Sequence, residues 1–584
     1  MITRRRALAV LGTAGIGTAV FRRALAAKAG DGPVSPAMIA EAEWVAGIKL
    51  TAAQREAAAK SFNEFRESTK RVRAIDLDNS QHPGLVFTPL ASPAARPDPR
   101  GYQGVTPSKP LSEAVARRDS DEELAFASIR RLGALLRSRK ISSVELTKLY
   151  LDRLHRYDPL LKCVVTLMDD LALRQAQRAD RELAEKKDRG PLHGIPWGLK
   201  DVIAYPGSPT TWCAPQYRHR VIDVKAAVAE RLENAGAVLI AKLATNAFAG
   251  GGLLWFRGLT RNPWNPRLDA AGSSSGSASA TAAGLVGFSI ATETAGSIIG
   301  PSSRCGAVGL RPTYGRVSRY GCMQLCWSLD KIGPICRNVD DCGLVFAAIH
   351  GADPRDTASV DRNYVWPSSR NVTTIRVGYT PKKGKDAKQG QDEGREELRV
   401  LRDLGVKLVP IPSPKLLEDY GLTFELIEGV VAIESATSFD ELTRRGEPKG
   451  VQGWPRYWAY GHLLSGVDYL KLNRLRAILM QRFDKLMQTI DVYLGGEFAL
   501  YNNLTGHPAV VFPKKFEKDG GFLVPRPQMM TGRIYDESTL LALADAYQRA
   551  IGLTARPPLD KFLAEKDQIL KDEKFPDEKK LYTD

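Results

Sequence analysis

A lysine and a serine-rich stretch are the residues of this sequence best suited to chemistry. Lys200 lies in the apolar run 195–203, within GPLHGIPWGLKDVI. On a half-buried strand, the charged form of a lysine loses hydration, so its pKa falls toward the range in which it acts as a base. A lysine next to an aspartate more often forms a salt bridge, so this segment alone leaves both roles open.

The stretch 271–303 concentrates small residues to an unusual degree. It contains AGSSSGSASA and, after a short apolar run, TETAGSIIGPSS, which places Ser273 and Ser297 24 residues apart. Glycine and serine at this density allow a backbone to approach a ligand closely and to adopt unusual conformations. A flexible loop would have the same composition, but the apolar strand-like segments on either side disfavour a linker.

Two short motifs typical of nucleophilic serines also occur and are better discounted. Residues 272–276 match G-x-S-x-G, but that motif requires a hydrophobic strand just before it, and here the turn-like NPWNPRLDA precedes it. Residues 328–331 match S-x-x-K without the Ser-Asp-Asn and Lys-Thr-Gly motifs that accompany it in penicillin-binding enzymes. Neither match predicts a nucleophile.

Strand-like and helical segments alternate around these residues. The strand-like run 195–203 is followed by a helical pattern near 224–232 and by the strand-like 237–242. Helical SASATAAGL then leads into the strand-like 286–292. Alternation of this kind predicts an α/β sheet with helices on both faces.

Before this region the chain has a different organisation. Thr51 and Gln54 form a capping box that predicts a helix to about Arg73, and seven prolines in 81–110 predict an extended linker. Further helices are expected from Asp121 and, through a second capping box, from Ser142.

The composition excludes several classes of protein. Hydrophobic residues make up 43% of the 584 residues and charged residues 26%, which argues against intrinsic disorder. The net charge is +17, from 83 Lys and Arg against 66 Asp and Glu. This charge invites a nucleic-acid-binding interpretation, but no nucleic-acid module and no block of five or more basic residues supports it. The seven cysteines and seven histidines lack the spacing of a metal site, so no metal is expected.

Part of the positive charge is explained by the N-terminus. Arg4, Arg5 and Arg6 precede the mildly apolar 7–21, and Ala-x-Ala follows at 24–26 and 27–29. This pattern predicts an export signal over residues 1–29, of the twin-arginine type, and a periplasmic location. A wrongly assigned start codon, an uncleaved anchor and a cytoplasmic location are the alternatives.

Taken together, the motifs resemble those of the amidase signature family. The match rests on GPLHGIPWGLKDVI, AGSSSGSASA, TETAGSIIGPSSRCGAVGLRPTYGRVSRYG, SLDKIGPICR, NLTGHPAVVFP and GRIYDESTLLALADAYQ, in that order. The resemblance extends over 121–553 and implies one large α/β domain with a central mixed sheet covered by helices. In this view 190–345 is the catalytic core and 351–500 a helical insert. Residues 30–120 would form an N-terminal arm, and 554–584 a C-terminal tail.

The resemblance also implies a catalytic set. In the family, a lysine, a serine that follows a cis peptide bond and a nucleophilic serine form a triad, and backbone N–H groups form an oxyanion hole. The corresponding triad residues here are Lys200, Ser273 and Ser297, and the corresponding oxyanion donors are Thr294, Ala295, Gly296 and Ser297. The implied reaction is amide hydrolysis through a serine acyl-enzyme, without a cofactor.

Three positions depart from the family pattern. Ala295 and Ser275 each replace a common glycine, and Ile299 stands where an arginine usually follows the nucleophile by two residues. Trp255, Phe256 and the segment 454–460 are possible pocket linings, although aromatic residues there fit a core equally well. The acyl group and the amine of the substrate are therefore not predicted.

Three functions follow from these observations. The first is an exported amidase that acts alone on a small-molecule amide, with no nucleic-acid partner and only transient membrane contact through its signal. The second is the A subunit of a tRNA-dependent glutamyl or aspartyl amidotransferase, and the third is a basic surface- or nucleic-acid-binding protein. The export-like N-terminus, the long arm and the missing arginine favour the first.

Overall fold

A computed structural model describes most of the chain in two compact units, Met1–Asp78 and Asn79–Asp584. The described residues are 33–46, 49–73, 87–90, 120–250, 252–381, 392, 394–411, 416–417, 424–445, 454–497 and 499–571. The predicted export signal and most of the predicted proline-rich linker lie outside them.

The described residues of the first unit form two helices, α1 (Pro36–Ala46) and α2 (Ala52–Arg73). The predicted capping box is present, because Thr51 N donates to Gln54 Oε1 (2.8 Å) and Gln54 N to Thr51 Oγ1 (3.3 Å). A two-pronged ion pair between Glu43 and Arg55, at 2.6 and 2.9 Å, links the two helices.

The second unit is built on an 11-stranded mixed sheet, as the family resemblance predicts. Its strand order is β1-β3-β2-β6-β8-β7-β12-β13-β11-β9-β10, and β4 and β5 form a separate two-stranded ribbon. The strands are β1 (Val164–Leu167), β2 (Pro196–Lys200), β3 (Val238–Leu243), β4 (Leu254–Trp255), β5 (Gly258–Leu259), β6 (Phe288–Glu293), β7 (Val308–Arg311), β8 (Lys331–Cys336), β9 (Arg376–Tyr379), β10 (Lys407–Pro410), β11 (Val492–Leu494), β12 (Ala509–Asp519) and β13 (Phe522–Gly532).

The central strands β2, β3, β6, β7 and β8 are buried at nearly every position, so both faces of the sheet are covered there. Among the described residues no helix is long and apolar enough to cross a bilayer. The helices of this unit are α3 (Asp121–Phe126), α4 (Ile129–Arg137), α5 (Ser143–Leu161), α6 (Asp169–Ala184), α7 (Ala227–Asn234), α8 (Ser275–Ala282), α9 (Ile299–Cys305), α10 (Val339–Ile349), α11 (Glu396–Asp403), α12 (Glu425–Ser438), α13 (Asp440–Arg445), α14 (Trp454–Leu463), α15 (Gly466–Thr489), α16 (Ala499–Thr505), α17 (Glu537–Ile551), α18 (Leu559–Ala564) and α19 (Lys566–Lys571).

Two elements differ from the sequence-based expectation. The single helix expected from Asp121 is divided into α3 and α4, because Ser128 caps a new helix by accepting a hydrogen bond from Arg131 N. The segment 351–500, predicted as a helical insert, also supplies β9, β10 and β11 to the main sheet. The capping box at Ser142 and Glu145 is present as expected.

The arrangement of the central strands brings the predicted functional residues to one edge. Strands β3, β2 and β6 run parallel, so their carboxyl ends lie together, and β2 ends at Lys200. Strand β6 ends at Glu293, four residues before Ser297. The crevice outside the carboxyl ends of such strands is the usual place for a ligand in an open α/β sheet.

Close backbone packing holds the serine-rich helix against this edge, which predicts the effect of a small substitution. A Cβ added at Gly276 would lie 2.5 Å from the Cys163 carbonyl oxygen and 2.8 Å from the Ala244 carbonyl oxygen. Since backbone atoms yield little, we expect Gly276→Ala to lower the free energy of unfolding by about 1–3 kcal/mol. Thermal and urea unfolding would measure this. Gly466→Ala is the control, because nothing lies within 4 Å of its added Cβ. Equal stability of the two variants would contradict the packing argument.

Candidate active site

Lys200 is fully buried at the carboxyl end of β2, and the residue after it fixes that end of the strand. The Asp201 carboxylate pairs with Lys242 Nζ at 2.9 Å, with both side chains fully buried, and accepts a hydrogen bond from Thr211 N at 3.0 Å. The aspartate beside Lys200 is thus paired with another lysine. Lys200 and Asp201 therefore do not form a salt bridge with each other, and the Lys200 amine has other partners.

The Lys200 amine lies among neutral oxygens. Its Nζ is 2.8 Å from Ser273 Oγ, 2.9 Å from Ser274 Oγ and 2.8 Å from Thr292 Oγ1. Burial lowers the pKa of Lys200 to about 7, because the charged form has lost its hydration. A large fraction of the amine is therefore neutral at neutral pH, which is the state that accepts a proton.

A tight turn presents the two serines to this amine. The Gly272–Ser273 peptide bond is cis, and Ser273 O accepts a hydrogen bond from Asn246 N at 3.2 Å. A Cβ added at Gly272 would lie 2.7 Å from Asn246 Cγ, so any larger residue there would have to displace the Asn246 side chain. The turn then continues directly into α8.

Hydrogen bonding distinguishes the two serines that contact Lys200. Ser274 Oγ donates its hydrogen to the Thr292 carbonyl at 3.1 Å. Ser273 Oγ has no acceptor for its hydrogen among the described residues other than the Lys200 amine at 2.8 Å. Of the two serines, Ser273 is thus the one whose hydrogen is not taken by a backbone carbonyl.

The main chain of Ser297 is hydrogen-bonded to this turn. Its carbonyl accepts a hydrogen bond from Ser274 N at 3.2 Å, and the residue itself is partly exposed between β6 and α9. In the described part of the chain, no hydrogen bond joins Ser273 Oγ to Ser297 Oγ. The structure thus brings Lys200 and Ser273 into direct contact and holds Ser297 next to them.

The loop before Ser297 has the features of an anion-binding turn. The N–H groups of Ala295, Gly296 and Ser297 donate no hydrogen bond to any residue that the structure describes. Gly296 has φ +113°, a conformation that favours glycine, whereas Ala295 has no positive φ. Ala295, which replaces a family glycine, therefore does not have to adopt the left-handed conformation that favours glycine.

Buried charges that the sequence analysis did not identify hold this loop at both ends. The Glu293 carboxylate accepts hydrogen bonds from Ile298 N (2.8 Å) and Ile299 N (2.9 Å) and pairs with Arg311 at 2.8 Å. At the other end, Asp330 Oδ1 accepts from Thr294 Oγ1 at 2.6 Å. Thr292, Glu293 and Asp330 were missed because they lie within the quoted motifs TETAGSIIGPSS and SLDKIGPICR without being members of the triad.

The remaining candidate positions are apolar or packed into the core. Ile299, which replaces the family arginine, belongs to an apolar cluster with Ala509, Val511 and Met529. Trp255 and Phe256 are buried and contact each other. Trp454 and Trp458 stack at 5.7 Å within a larger aromatic cluster. None of the described His, Cys, Asp and Glu residues form a group of three that would hold a metal ion.

Comparison with known proteins agrees with this geometry. A family model described as Amidase matches residues 145–500. The A subunit of glutamyl-tRNA(Gln) amidotransferase from Geobacter metallireducens is 34% identical over 483 residues, which cover 73% of this chain and 98% of the relative. The chain belongs to the amidase signature family. It is therefore an enzyme that acts on amide C–N bonds.

Solved structures of family members have the same fold. The peptide amidase from Stenotrophomonas maltophilia is 26% identical, with a TM-score of 0.65 over 74% of this chain and 99% of that one. The A subunit of glutamyl-tRNA(Gln) amidotransferase from Thermotoga maritima is 24% identical, with a TM-score of 0.61 over 76% of this chain and 100% of that one. The second similarity concerns the fold alone.

These relatives correct one prediction. The expectation of a lone enzyme with a small-molecule substrate and no nucleic-acid partner is wrong, because the curated relatives are named as subunits of an amidotransferase for glutamyl-tRNA(Gln). The expectation relied on the absence of basic blocks and of nucleic-acid modules. Those features report direct binding by a recognisable module and are uninformative about a subunit that lacks one.

The buried lysine gives this amidase a predictable pH dependence. Below a pH of about 7, Lys200 is protonated and no longer accepts a proton, so we expect kcat/KM for an aryl amide to fall about tenfold per pH unit below that value and to level off above it. Lys331, whose pKa burial also lowers to about 7, is the control position. The acid limb should persist in Lys331→Arg. A flat profile between pH 5 and 9 would contradict the assignment of Lys200 as the base.

Proposed function

We propose that this enzyme cleaves a carboxamide C–N bond through an acyl-enzyme on Ser297. The observation that carries the proposal is the 2.8 Å contact between the buried Lys200 amine and Ser273 Oγ, next to a loop whose N–H groups have no acceptor among the described residues. A base, a proton carrier, a nucleophile and an anion-binding turn are thus assembled at one edge of the sheet.

The first half-reaction forms the acyl-enzyme. Neutral Lys200 accepts the Ser273 proton, Ser273 accepts the Ser297 proton, and Ser297 Oγ attacks the amide carbonyl. The negative charge that develops on the carbonyl oxygen is stabilised by the N–H groups of the loop, each contributing about 3–4 kcal/mol to the lowering of the barrier.

Collapse of the tetrahedral intermediate completes the acyl-enzyme, and hydrolysis of that ester is the second half-reaction. Ser273 transfers its proton to the leaving nitrogen as the C–N bond breaks, and Lys200 returns a proton to Ser273. The ester on Ser297 is then cleaved by water through the same proton relay. The net reaction consumes one amide and one water and yields a carboxylic acid and ammonia or an amine.

The curated relatives favour one destination for the released nitrogen. We propose that the chain is the A-type subunit of a tRNA-dependent amidotransferase, in which ammonia released from an amide such as that of glutamine passes to a glutamyl or aspartyl group on tRNA. The support is the 34% identity over nearly the full length of the Geobacter metallireducens protein.

Release of the nitrogen to water is the second candidate. The structural similarity to a peptide amidase and the apolar surroundings of Ile299 favour an uncharged amide substrate over glutamine. Purification of the tagged full-length chain from the organism that produces it distinguishes these two candidate functions. Co-purifying subunits with tRNA and glutaminase activity would support the amidotransferase, whereas hydrolysis of peptide amides by the chain alone would contradict it.

The proposed roles predict a graded response to substitution. We expect Ser297→Ala to abolish amide hydrolysis. Lys200→Ala and Ser273→Ala should each lower kcat about 10³-fold or more, because removing one member of a catalytic set disables the whole set. Ser274→Ala should have a much smaller effect, since the hydrogen of Ser274 is already used by Thr292 O. Steady-state kinetics and labelling of Ser297 by a fluorophosphonate would measure these effects.

The control for this series is Ser277→Ala. Ser277 is a fully buried serine of α8, and its Oγ bonds to Ile290 O at 3.4 Å without contacting Lys200. Its kinetics should equal those of the unmodified enzyme. A larger loss in Ser274→Ala than in Ser273→Ala would show that the proton carrier is assigned to the wrong serine.

A further inference from the structure

Lys331 is a buried lysine that the proposed reaction does not use. It is the first residue of β8, pairs across the strands with Glu293 and is 2% exposed. Its Nζ is 3.4 Å from the Thr294 carbonyl oxygen, and no carboxylate lies within 4 Å of it in the part of the chain that the structure describes. An ammonium group is expensive to bury without a close counter-ion, so this position calls for an explanation.

The nearby acidic groups are engaged elsewhere. Glu293 pairs with Arg311 and accepts two backbone hydrogen bonds from the start of α9. The Asp330 carboxylate accepts hydrogen bonds from Thr294 Oγ1, from Leu325 N (2.7 Å) and from Cys326 N (2.9 Å). The Lys331 amine is thus directed at a main-chain carbonyl.

That carbonyl belongs to the peptide unit that carries the Ala295 N–H group. In a trans peptide the C=O and N–H bonds point in opposite directions, so holding Thr294 O toward Lys331 aims the Ala295 N–H away from it. Ala295 is exposed, and its N–H has no acceptor among the described residues. A hydrogen-bond donor at the carbonyl end also polarises the peptide unit and makes its N–H a stronger donor.

We propose that Lys331 is a positioning residue that directs and strengthens the Ala295 N–H as a donor to the oxyanion. The proposal rests on the proposed acyl-enzyme chemistry at Ser297. Asp330 and Lys331, which are adjacent in sequence, then hold Thr294 by its side chain and by its carbonyl. Since the donor acts on the charge that develops during attack, Lys331 affects the reaction barrier more than substrate binding.

Two substitutions at this position separate the hydrogen-bond donor from the side-chain volume. Lys331→Met keeps most of the volume and removes the donor, and Lys331→Arg keeps a donor. With an aryl amide as substrate, we expect Lys331→Met to lower kcat about 10- to 100-fold with KM changed less than about threefold, which is smaller than the complete loss of an oxyanion donor. Lys331→Arg should recover most of kcat.

A boronic acid gives a second readout, because the nucleophilic serine converts it to a tetrahedral anion that resembles the intermediate. Binding of phenylboronic acid to Lys331→Met should weaken by about the same factor as kcat. Cys336→Ala is the control, since this buried residue of the same strand lies at its other end. It should lower the melting temperature without changing kcat or boronate affinity.

The possible outcomes are distinct. Unchanged kcat in Lys331→Met, or a raised KM with kcat retained, would overturn the proposal, and the second result would make Lys331 a substrate contact. A loss of kcat that Cys336→Ala reproduces at equal stability would also overturn it. If Ser297→Ala retained activity, the proposed function itself would fail, whereas an inactive Ser297→Ala with a normal Lys331→Met would remove only the role of Lys331.

Discussion

The burial of the Lys200 amine among neutral oxygens is the constraint on which the site depends. Three hydroxyl groups within 2.9 Å accept or donate hydrogen bonds without supplying negative charge, so nothing in this set of contacts compensates an ammonium group fully. The desolvation cost therefore falls on the charged form and brings the pKa to about 7. A carboxylate in place of any of these hydroxyls would restore the charged state and remove the base.

The fold meets this constraint because the nearby carboxylates of Asp201 and Glu293 are each paired with a basic residue other than Lys200. Asp201, the residue next to the base, is neutralised by Lys242 rather than by Lys200. On β6, Thr292 contacts the Lys200 amine, while Glu293 is engaged by Arg311. Successive side chains of a strand point to opposite faces of the sheet. The neutral contact of Thr292 and the ion pair of Glu293 are therefore kept apart although the two residues are adjacent.

The alternating strand-like and helical segments allowed the α/β fold to be predicted, and the family resemblance singled out Lys200 and Ser273, which lie in contact. Thr292 was not found, since its contact with Lys200 depends on the parallel pairing of β2 with β6. Asp330 and Lys331 were not found, since they reach the site through the antiparallel pairing of β6 with β8. The strands within 351–500 were missed for a similar reason. Each is only three or four residues long, too short to establish an alternating pattern.

The same site geometry serves more than one fate for the released nitrogen. In the proposed reaction, cleavage of the C–N bond uses Lys200, Ser273, Ser297 and the loop before Ser297, which meet at the carboxyl ends of β2 and β6. Neither the acceptor of ammonia nor the identity of the acyl group is specified by these groups. Selectivity must therefore arise from residues that face the bound amide, and the apolar cluster of Ile299 with Met529 is adjacent to the nucleophile. Since position 299 carries no cation, an anionic substrate would have to find its counter-charge on another element or on another protein chain.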